Sequence, residues 1–254
     1  MPYAAIGAGE PVVALAGLAP VSGVEGDGMV RATVGMFASL AGRRRLVALN
    51  RRPGLPRGMT MAQLAAEHAD ALRDGFDGPV DVIGTSTGGS IAQQLAADHP
   101  DVVRRLVLVS TACRLGPEAR REQRRVAARV RAGARRQAMA LLVHDLVPPW
   151  RGRVPAAVAA WLLGPRLLRD RAGLDDMATT IEAEDGFDLA ASAQPIGAPT
   201  LILGGARDRF YAVALFEETA RLIPGSRLRV FPRRGHVTVM RDPGFQAEIA
   251  AFLS

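Results

Sequence analysis

A Gly-x-Ser-x-Gly pattern, placed where an apolar run gives way to a helical one, constrains this 254-residue chain more than any other feature. Residues 84–89 read Gly-Thr-Ser-Thr-Gly-Gly; the apolar run begins at Val80 and the helical pattern at Ile91. Between a strand and a helix, this pattern puts a serine in a strained turn, and close packing leaves room only for glycine on either side. Ser86 would then lie at a helix N-terminus, which favours developing negative charge. The pattern therefore predicts a nucleophilic serine.

Apolar runs that alternate with helical patterns predict a doubly wound α/β fold with a mostly parallel sheet. The runs are continuous rather than alternating, which is typical of parallel strands buried on both faces. Thr60 and Gln63 have the spacing of a capping box and mark the start of one helix. Strands are predicted at residues 3–6, 11–15, 46–49, 80–84, 106–109, 200–203 and 228–231, and helices at about 30–40, 60–73, 91–97, 211–222 and 243–253.

Residues 114–194 differ from the rest because their pattern is helical only. Apolar residues recur at helical spacing across residues 118–142. We therefore predict two parts: residues 1–113 and 195–254 form the α/β core, and residues 114–194 form a helical cap inserted between core strands. The excess positive charge of the chain, +7 in total, is concentrated in this cap, since residues 114–153 hold eleven arginines against three acidic residues.

All 32 basic residues of the chain are arginine, and the absence of lysine excludes a lysine Schiff base and a P-loop lysine. The arginine-rich cap allows two interpretations. It can be a solvated face whose arginines reflect codon usage. It can also be a docking surface for an acidic carrier protein or an anionic substrate, formed by Arg120, Arg124, Arg131 and Arg135. Few aromatic residues accompany the arginines, which disfavours nucleic-acid binding.

The remaining composition predicts a cytoplasmic protein that does not enter a membrane and needs no cofactor and no metal. The single cysteine, Cys113, fits a reducing compartment and is expected to fill a buried space. The N-terminus lacks a basic region, and no apolar run is long enough to span a bilayer. Four scattered histidines offer no metal-ligand spacing, and Gly7-Ala8-Gly9 lacks the third glycine of a dinucleotide loop. The oligomeric state stays open.

A serine hydroxyl needs a base that takes its proton and a third group that orients this base. His236 lies in a loop after the last strand and before the last helix, where it can reach over the edge of the sheet. Asp208 follows the strand at 200–203 and gives the chain order Ser…Asp…His. The rivals for the two roles, which we expect to be surface, capping or cap residues, are His68, His99, His144, Asp185, Asp188 and Asp242.

On these residues the chain resembles the α/β-hydrolase superfamily over nearly its full length. The motifs that carry the resemblance are residues 84–89, Gly204-Gly205-Ala206-Arg207-Asp208, Gly235-His236 with Asp242-Pro243, and Asn50-Arg51-Arg52-Pro53-Gly54 as a substituted Asp-x-Arg-Gly-x-Gly loop. The resemblance implies an eight-stranded sheet with a cap that enters after strand six. It also implies that the N–H of Leu18 joins the N–H of Thr87 as an oxyanion donor, although Ala16 replaces a histidine common in the family.

The predicted activity is that of a serine hydrolase acting on an ester, a thioester or a related acyl bond. His236 would deprotonate Ser86, and Asp208 would hold the imidazole tautomer. Three alternatives on the same residues stay open: C–C bond hydrolysis, cofactor-free haloperoxidase-like chemistry, and ligand binding without catalysis.

Four side chains near the predicted site allow two interpretations each. The Thr87 hydroxyl can cap its own helix, which we favour, or bind substrate. The large side chains Trp150, Trp161 and Met177 can line an acyl pocket or pack between cap helices. The pattern therefore predicts the bond-breaking groups, while the acyl group and its length stay open.

Overall fold

The structure, a computed structural model, describes residues 1–24, 33–146, 152–167, 171–192 and 194–254. Within them the chain forms one sheet with the strand order β1-β3-β2-β4-β5-β6-β7. β1 is antiparallel to β3, and all other neighbouring strands are parallel. The strands are β1 (Tyr3–Ile6), β2 (Pro11–Leu15), β3 (Arg45–Leu49), β4 (Val80–Thr85), β5 (Val103–Val109), β6 (Thr200–Gly205) and β7 (Arg227–Phe231).

The sheet of the described residues has seven strands, one fewer than the eight that we expected. Each of the seven apolar runs of the sequence overlaps one strand, whereas the number eight came from the family resemblance alone. As a consequence, the helices of residues 114–194 follow the fifth strand of this chain rather than its sixth. The mostly parallel α/β architecture is confirmed.

The described residues also form eight α-helices of ten residues or more, which lie between the strands or after the last one in the chain. They are α1 (Met61–Gly75), α2 (Thr87–Asp98), α3 (Pro117–Arg131), α4 (Arg135–Leu146), α5 (Arg153–Leu167), α6 (Arg171–Asp185), α7 (Val213–Leu222) and α8 (Pro243–Leu253). The capping box is confirmed, because Thr60 and Gln63 exchange side-chain and backbone hydrogen bonds at the start of α1. The helix predicted at 30–40 lies partly outside the described residues; within them, residues 33–35 are helical and Ala38–Leu40 forms a 3₁₀ turn.

Two apolar layers bury the sheet from both faces. Leu64 of α1, Leu95 of α2 and Phe216 of α7 pack on one face. Phe37 and Phe245 pack on the other, with their ring centroids 6.3 Å apart. Because both faces are covered, residues 12–15, 46–49 and 106–109 are buried and apolar without interruption, as the continuous runs predict.

Helices α3 to α6 lie between β5 and β6, and we call residues 114–194 the helical segment. It has an apolar cluster of its own, in which Val126 and Val130 of α3 pack with Leu174 and Met177 of α6. In the described residues no helix is long and apolar enough to cross a membrane. Ser86 follows the carboxyl end of β4, and Asp208 follows the carboxyl end of β6. Because the strands are parallel, both residues lie at the same edge of the sheet.

Candidate active site

Ser86 lies in a strained turn between β4 and α2. Its φ of 52° falls in the left-handed region that side-chain-bearing residues rarely adopt. The turn is fixed by a hydrogen bond from the Ser86 N–H to Val109 O at 2.9 Å. It also depends on Gly84, since a Cβ there would lie 2.6 Å from the Cα of Gly89. The glycines of the motif therefore let α2 start directly against the sheet.

His236 joins Ser86 to Asp208 through its two ring nitrogens. Nδ1 lies 2.8 Å from Asp208 Oδ2, and Nε2 lies 3.0 Å from Ser86 Oγ. A carboxylate only accepts hydrogen bonds, so Nδ1 carries the proton and Nε2 is left to accept from the serine hydroxyl. The structure thus brings together three residues that lie 150 and 28 positions apart along the chain.

Backbone groups hold both partners of the serine in place. Asp208 Oδ1 accepts the N–H groups of Phe210 at 2.8 Å and Tyr211 at 3.1 Å, which leaves Oδ2 for the imidazole. The carbonyl of His236 accepts a hydrogen bond from Ser110 Oγ at 2.8 Å. Ser110 itself has a φ of 48°, a second strained serine beside the site that the sequence pattern did not reveal.

The pKa of His236 is raised above its ordinary value. Burial on its own lowers this pKa, but the charge and hydrogen bond of Asp208, together with the charge of Glu184, outweigh burial. The rings of Phe210 and Tyr211 enclose the imidazole, with centroids 4.8 and 6.0 Å from its own. The imidazole is therefore largely enclosed by aromatic rings, and the charges of two carboxylates act on it.

The two predicted oxyanion donors border one narrow cavity, which Ser86 itself does not line. Leu18 and Thr87 both line it, and its volume of about 10 Å³ suits one water-sized group. Gly17 packs closely on the turn, since a Cβ there would lie 3.3 Å from Thr85 O. Arg51 also lines the cavity; burial lowers its pKa to about 10, so it stays cationic at neutral pH.

The Thr87 hydroxyl neither caps its helix nor faces open space. It donates to Glu184 Oε2 at 2.7 Å, so our preference for a capping role was wrong. The helix-capping argument failed because a buried carboxylate from α6 competes successfully for the hydroxyl. Glu184 also accepts from Ser90 Oγ at 2.8 Å and from Tyr211 Oη at 3.1 Å, and it is fully buried.

Sequence reasoning missed Glu184 and a second buried acid of the same helix, Asp176. Asp176 accepts the hydroxyl of Ser22 and the N–H groups of Gly54 and Leu55. Thr180 lies between the two acids, and all three are buried. Their spacing of four residues places them on one face of α6. That spacing was the one available signal, but acids on a helix are normally read as exposed.

The predicted pocket residues lie in different surroundings. Met177 is buried in the apolar cluster of the helical segment, where it packs between helices. Trp161 is 40% exposed, with the guanidinium of Arg136 4.8 Å from its ring centroid. Trp150 lies outside the described residues. Leu18 packs against the cluster that contains Met177, which connects this cluster to the loop beside Ser86.

The rival residues have other contacts. His68 is buried and its Nδ1 lies 2.7 Å from Leu64 O. Asp185 pairs with Arg120 and Arg124, and Asp242 caps α8 while it binds Arg234. Asp188 caps a 3₁₀ turn, and His99 contacts Arg73. In the described residues no group of three His, Cys, Asp or Glu side chains could hold a metal ion.

Fold and comparisons agree on the class of protein. The model of the alpha/beta hydrolase family matches residues 12–249, and the chain belongs to this family. A hydrolase from Pseudomonas aeruginosa is 26% identical, with a TM-score of 0.78 over 99% of this chain and 93% of that one. The enol-lactonase of Burkholderia xenovorans, 23% identical with a TM-score of 0.73 over 99% and 95% of the two chains, has the same fold.

Two further proteins are similar to this chain in sequence. The polyketide synthase ThaQ of Burkholderia thailandensis is 34% identical over 222 residues, which is 83% of this chain; the match spans 10% of the length of that synthase. The pimeloyl-[acyl-carrier protein] methyl ester esterase of Neisseria meningitidis serogroup B is 30% identical over 176 residues, 67% of each chain.

Proposed function

We propose that this protein is a serine hydrolase that cleaves a carboxylic ester, thioester or related acyl bond. The hydrogen-bonded series Asp208–His236–Ser86 carries the proposal, with both nitrogens of the imidazole in use. This geometry provides a nucleophile, a base within reach of its proton and a carboxylate that fixes the tautomer of the base.

In the proposed reaction, Nε2 of His236 takes the proton of Ser86 as Oγ attacks the acyl carbon. The N–H groups of Leu18 and Thr87 donate to the oxyanion of the tetrahedral intermediate. His236 then gives its proton to the leaving alcohol or thiol, and an acyl-enzyme is formed on Ser86. Water, deprotonated by His236, attacks the acyl-enzyme and releases the acid. The raised pKa of His236 fits this role, because the Asp208 charge stabilises the imidazolium that each step creates.

A fluorophosphonate probe tests the proposal directly. It should label the intact protein at Ser86, and the variant Ser86→Ala should lose both labelling and acyl hydrolysis. Ser226→Ala removes a hydroxyl that lies just before β7 and donates to Ala220 O; it is the matched control and should behave as the original protein. Hydrolysis at the original rate by Ser86→Ala would end the proposal. A series of esters and thioesters of graded chain length then defines the acyl group.

We further propose that the acyl group is presented by an acidic carrier protein that docks on α3. Three exposed arginines support this, Arg121, Arg125 and Arg129, which are spaced by four residues and therefore form one row. No ion pair of this row is present among the described residues. By contrast, Arg120 and Arg124 bind Asp185, and Arg131 binds Asp175 and Glu182. The docking surface is thus the row rather than the four arginines first considered.

The names of two relatives add support, since one acts on an acyl-carrier-protein ester and the other is a polyketide synthase. Reversing the row to glutamate should lower kcat/KM for a carrier-bound acyl thioester roughly tenfold or more at low salt and leave the same acyl thioester of free pantetheine unchanged. Reversing Arg43, Arg45 and Arg221, three exposed arginines of the core, changes the net charge equally and is the control. If the reversed-row variant kept the kcat/KM of the original protein on both substrates, carrier docking at α3 would be excluded.

A further inference from the structure

Glu184 is a buried carboxylate held by hydroxyl groups. It lies in the last turn of α6, is fully buried, and accepts the hydroxyls of Thr87, Ser90 and Tyr211 at 2.7 to 3.1 Å. Burial raises its pKa, while these hydrogen bonds and one from Gln123 act in the opposite direction. Among the described residues no ion pair involves Glu184. Burying a carboxylate without a counter-ion costs stability.

The next residue makes the contrast clear. Asp185 is at the surface side of the same turn and pairs with Arg120 and Arg124, which tie α3 to α6. Asp185 therefore already links two helices of the helical segment by charge. Arginines lie within reach of this turn, yet the described partners of Glu184 are neutral donors. Within the part of the chain that the structure describes, its negative charge therefore has no counter-ion.

The three hydroxyl donors belong to the elements that carry the reacting groups. Thr87 follows Ser86 directly, and its N–H is the proposed oxyanion donor. Ser90 lies in the first turn of the same helix, α2. Tyr211 donates its N–H to Asp208, and its ring is nearly parallel to the imidazole of His236, at 20°. Because burial and Glu184 hold the pKa of Tyr211 well above its usual range, its hydroxyl stays a donor.

We propose that Glu184 is a positioning residue for the serine hydrolase reaction: it fixes Thr87 and Tyr211 on either side of the reacting groups and places a negative charge toward the imidazolium of His236. The inference rests on the proposed function for its kinetic consequences. Its electrostatic part does not, since the charge acts on His236 whether or not a substrate is cleaved.

Among the described residues, the charges that act on the pKa of His236 are those of Asp208 and Glu184. Ser86 faces it from the β4–α2 turn, Asp208 and Tyr211 from the loop after β6, and Glu184 from α6. Arg234, on the loop of His236 itself, is bound to Asp242. Removing the Glu184 charge therefore lowers the pKa of His236, while Asp208 continues to raise it.

The test is an NMR titration of the imidazole resonances in Glu184→Gln, which keeps the size of the side chain. We expect the pKa of His236 to fall, and labelling of Ser86 by a fluorophosphonate to slow roughly 10- to 100-fold, an effect expected of small misplacements. Asp185→Asn removes a neighbouring charge that faces outward and should leave the pKa of His236 and the labelling rate as they are. An unchanged His236 titration with an unchanged labelling rate overturns the inference.

A second pair of variants separates position from charge and covers a failure of Glu184→Gln to fold. Thr87→Val removes the hydrogen bond to Glu184 and keeps the carboxylate; it should lower kcat without moving the pKa of His236. Thr87→Ser restores the hydroxyl and should restore kcat. Equal kcat in both variants contradicts positioning through Thr87. If Ser86 of the original protein is not labelled at all while Glu184→Gln still lowers the pKa of His236, the hydrolase proposal fails and the electrostatic role stands.

Discussion

The edge of the sheet that carries Ser86 and the helical segment packed beside it are held by different kinds of contact. At the sheet edge, backbone atoms touch directly: a Cβ on Gly88 would lie 2.5 Å from Leu15 O, and one on Gly84 2.6 Å from Gly89 Cα. The helical segment instead reaches the core through side chains, above all the carboxylates of Asp176 and Glu184 on α6.

This difference separates what is fixed from what is adjustable. Backbone packing leaves no tolerance, so the positions of Ser86, Asp208 and His236 follow from the fold itself. Side-chain contacts can be exchanged one by one, and several of those made by the helical segment respond to pH or salt.

The largest expected effect tests the fixed region. Asp208→Asn keeps the shape of the side chain but presents an amide to Nδ1, which favours the tautomer that leaves Nε2 protonated and unable to accept from Ser86. We expect kcat for ester hydrolysis to fall roughly 10⁴-fold with little change in KM. Asp242→Asn, at the start of α8, is the control and should lose less than about tenfold. A loss below tenfold in Asp208→Asn would mean that Asp208 does not orient the base.

A pH titration of stability tests whether the core has a titratable weak point. Burial lowers the pKa of His68 to about 4, whereas an unfolded histidine titrates near 6.5. The unfolded chain therefore binds the extra proton first, and stability is lost as pH falls from about 6.5 to about 4, by about 3 kcal/mol. Urea unfolding between pH 7.5 and 4 should show this slope, and His68→Gln should remove it.

His99→Gln serves as the control, since His99 is only partly buried and contacts Arg73 at the surface. In His99→Gln the loss of stability on acidification should persist, because His68 is still present. A slope that survives in His68→Gln would place the titrating group elsewhere, and the core would then be as insensitive to pH as its backbone packing suggests.

A smaller effect tests how the helical segment is attached. Asp176→Asn turns one of its two oxygens into a donor that faces Ser22, Gly54 or Leu55, so at least one buried group loses its partner. We expect the free energy of unfolding to fall by about 1–3 kcal/mol. Asp175→Asn, next in the chain but exposed and paired with Arg131, should change it by less than about 0.5 kcal/mol. Equal losses would contradict a buried attachment at Asp176.

Pattern reasoning from the sequence predicted the sheet edge far better than the helical segment. Ser86 and His236 were identifiable because the turn, the glycines and the chain order all depend on backbone geometry, which leaves a local signature. The eighth strand was an inference from resemblance and not from an apolar run of this chain.

Glu184 and Asp176 escaped because a single sequence does not tell which face of a helix turns toward the core when both faces carry acids. The arginine-rich α3 was hard to interpret for the same reason. Its residues Arg120 and Arg124 bind Asp185 of α6, whereas Arg121 and Arg125 project outward, and adjacent positions in the sequence thus have opposite roles.

The smallest expected effect concerns the surface ion pairs of the helical segment. Arg124 lies 2.6 Å from Asp185, but its side chain is 63% exposed, so solvent and salt screen the attraction. Arg124→Ala should lower the free energy of unfolding by less than about 1 kcal/mol, and about 1 M salt should reduce even this difference. Arg129→Ala, from the row without ion pairs, should have no measurable effect. A loss as large as that in Asp176→Asn would mean that an exposed ion pair between α3 and α6 contributes as much to stability as the buried attachment of the helical segment to the core.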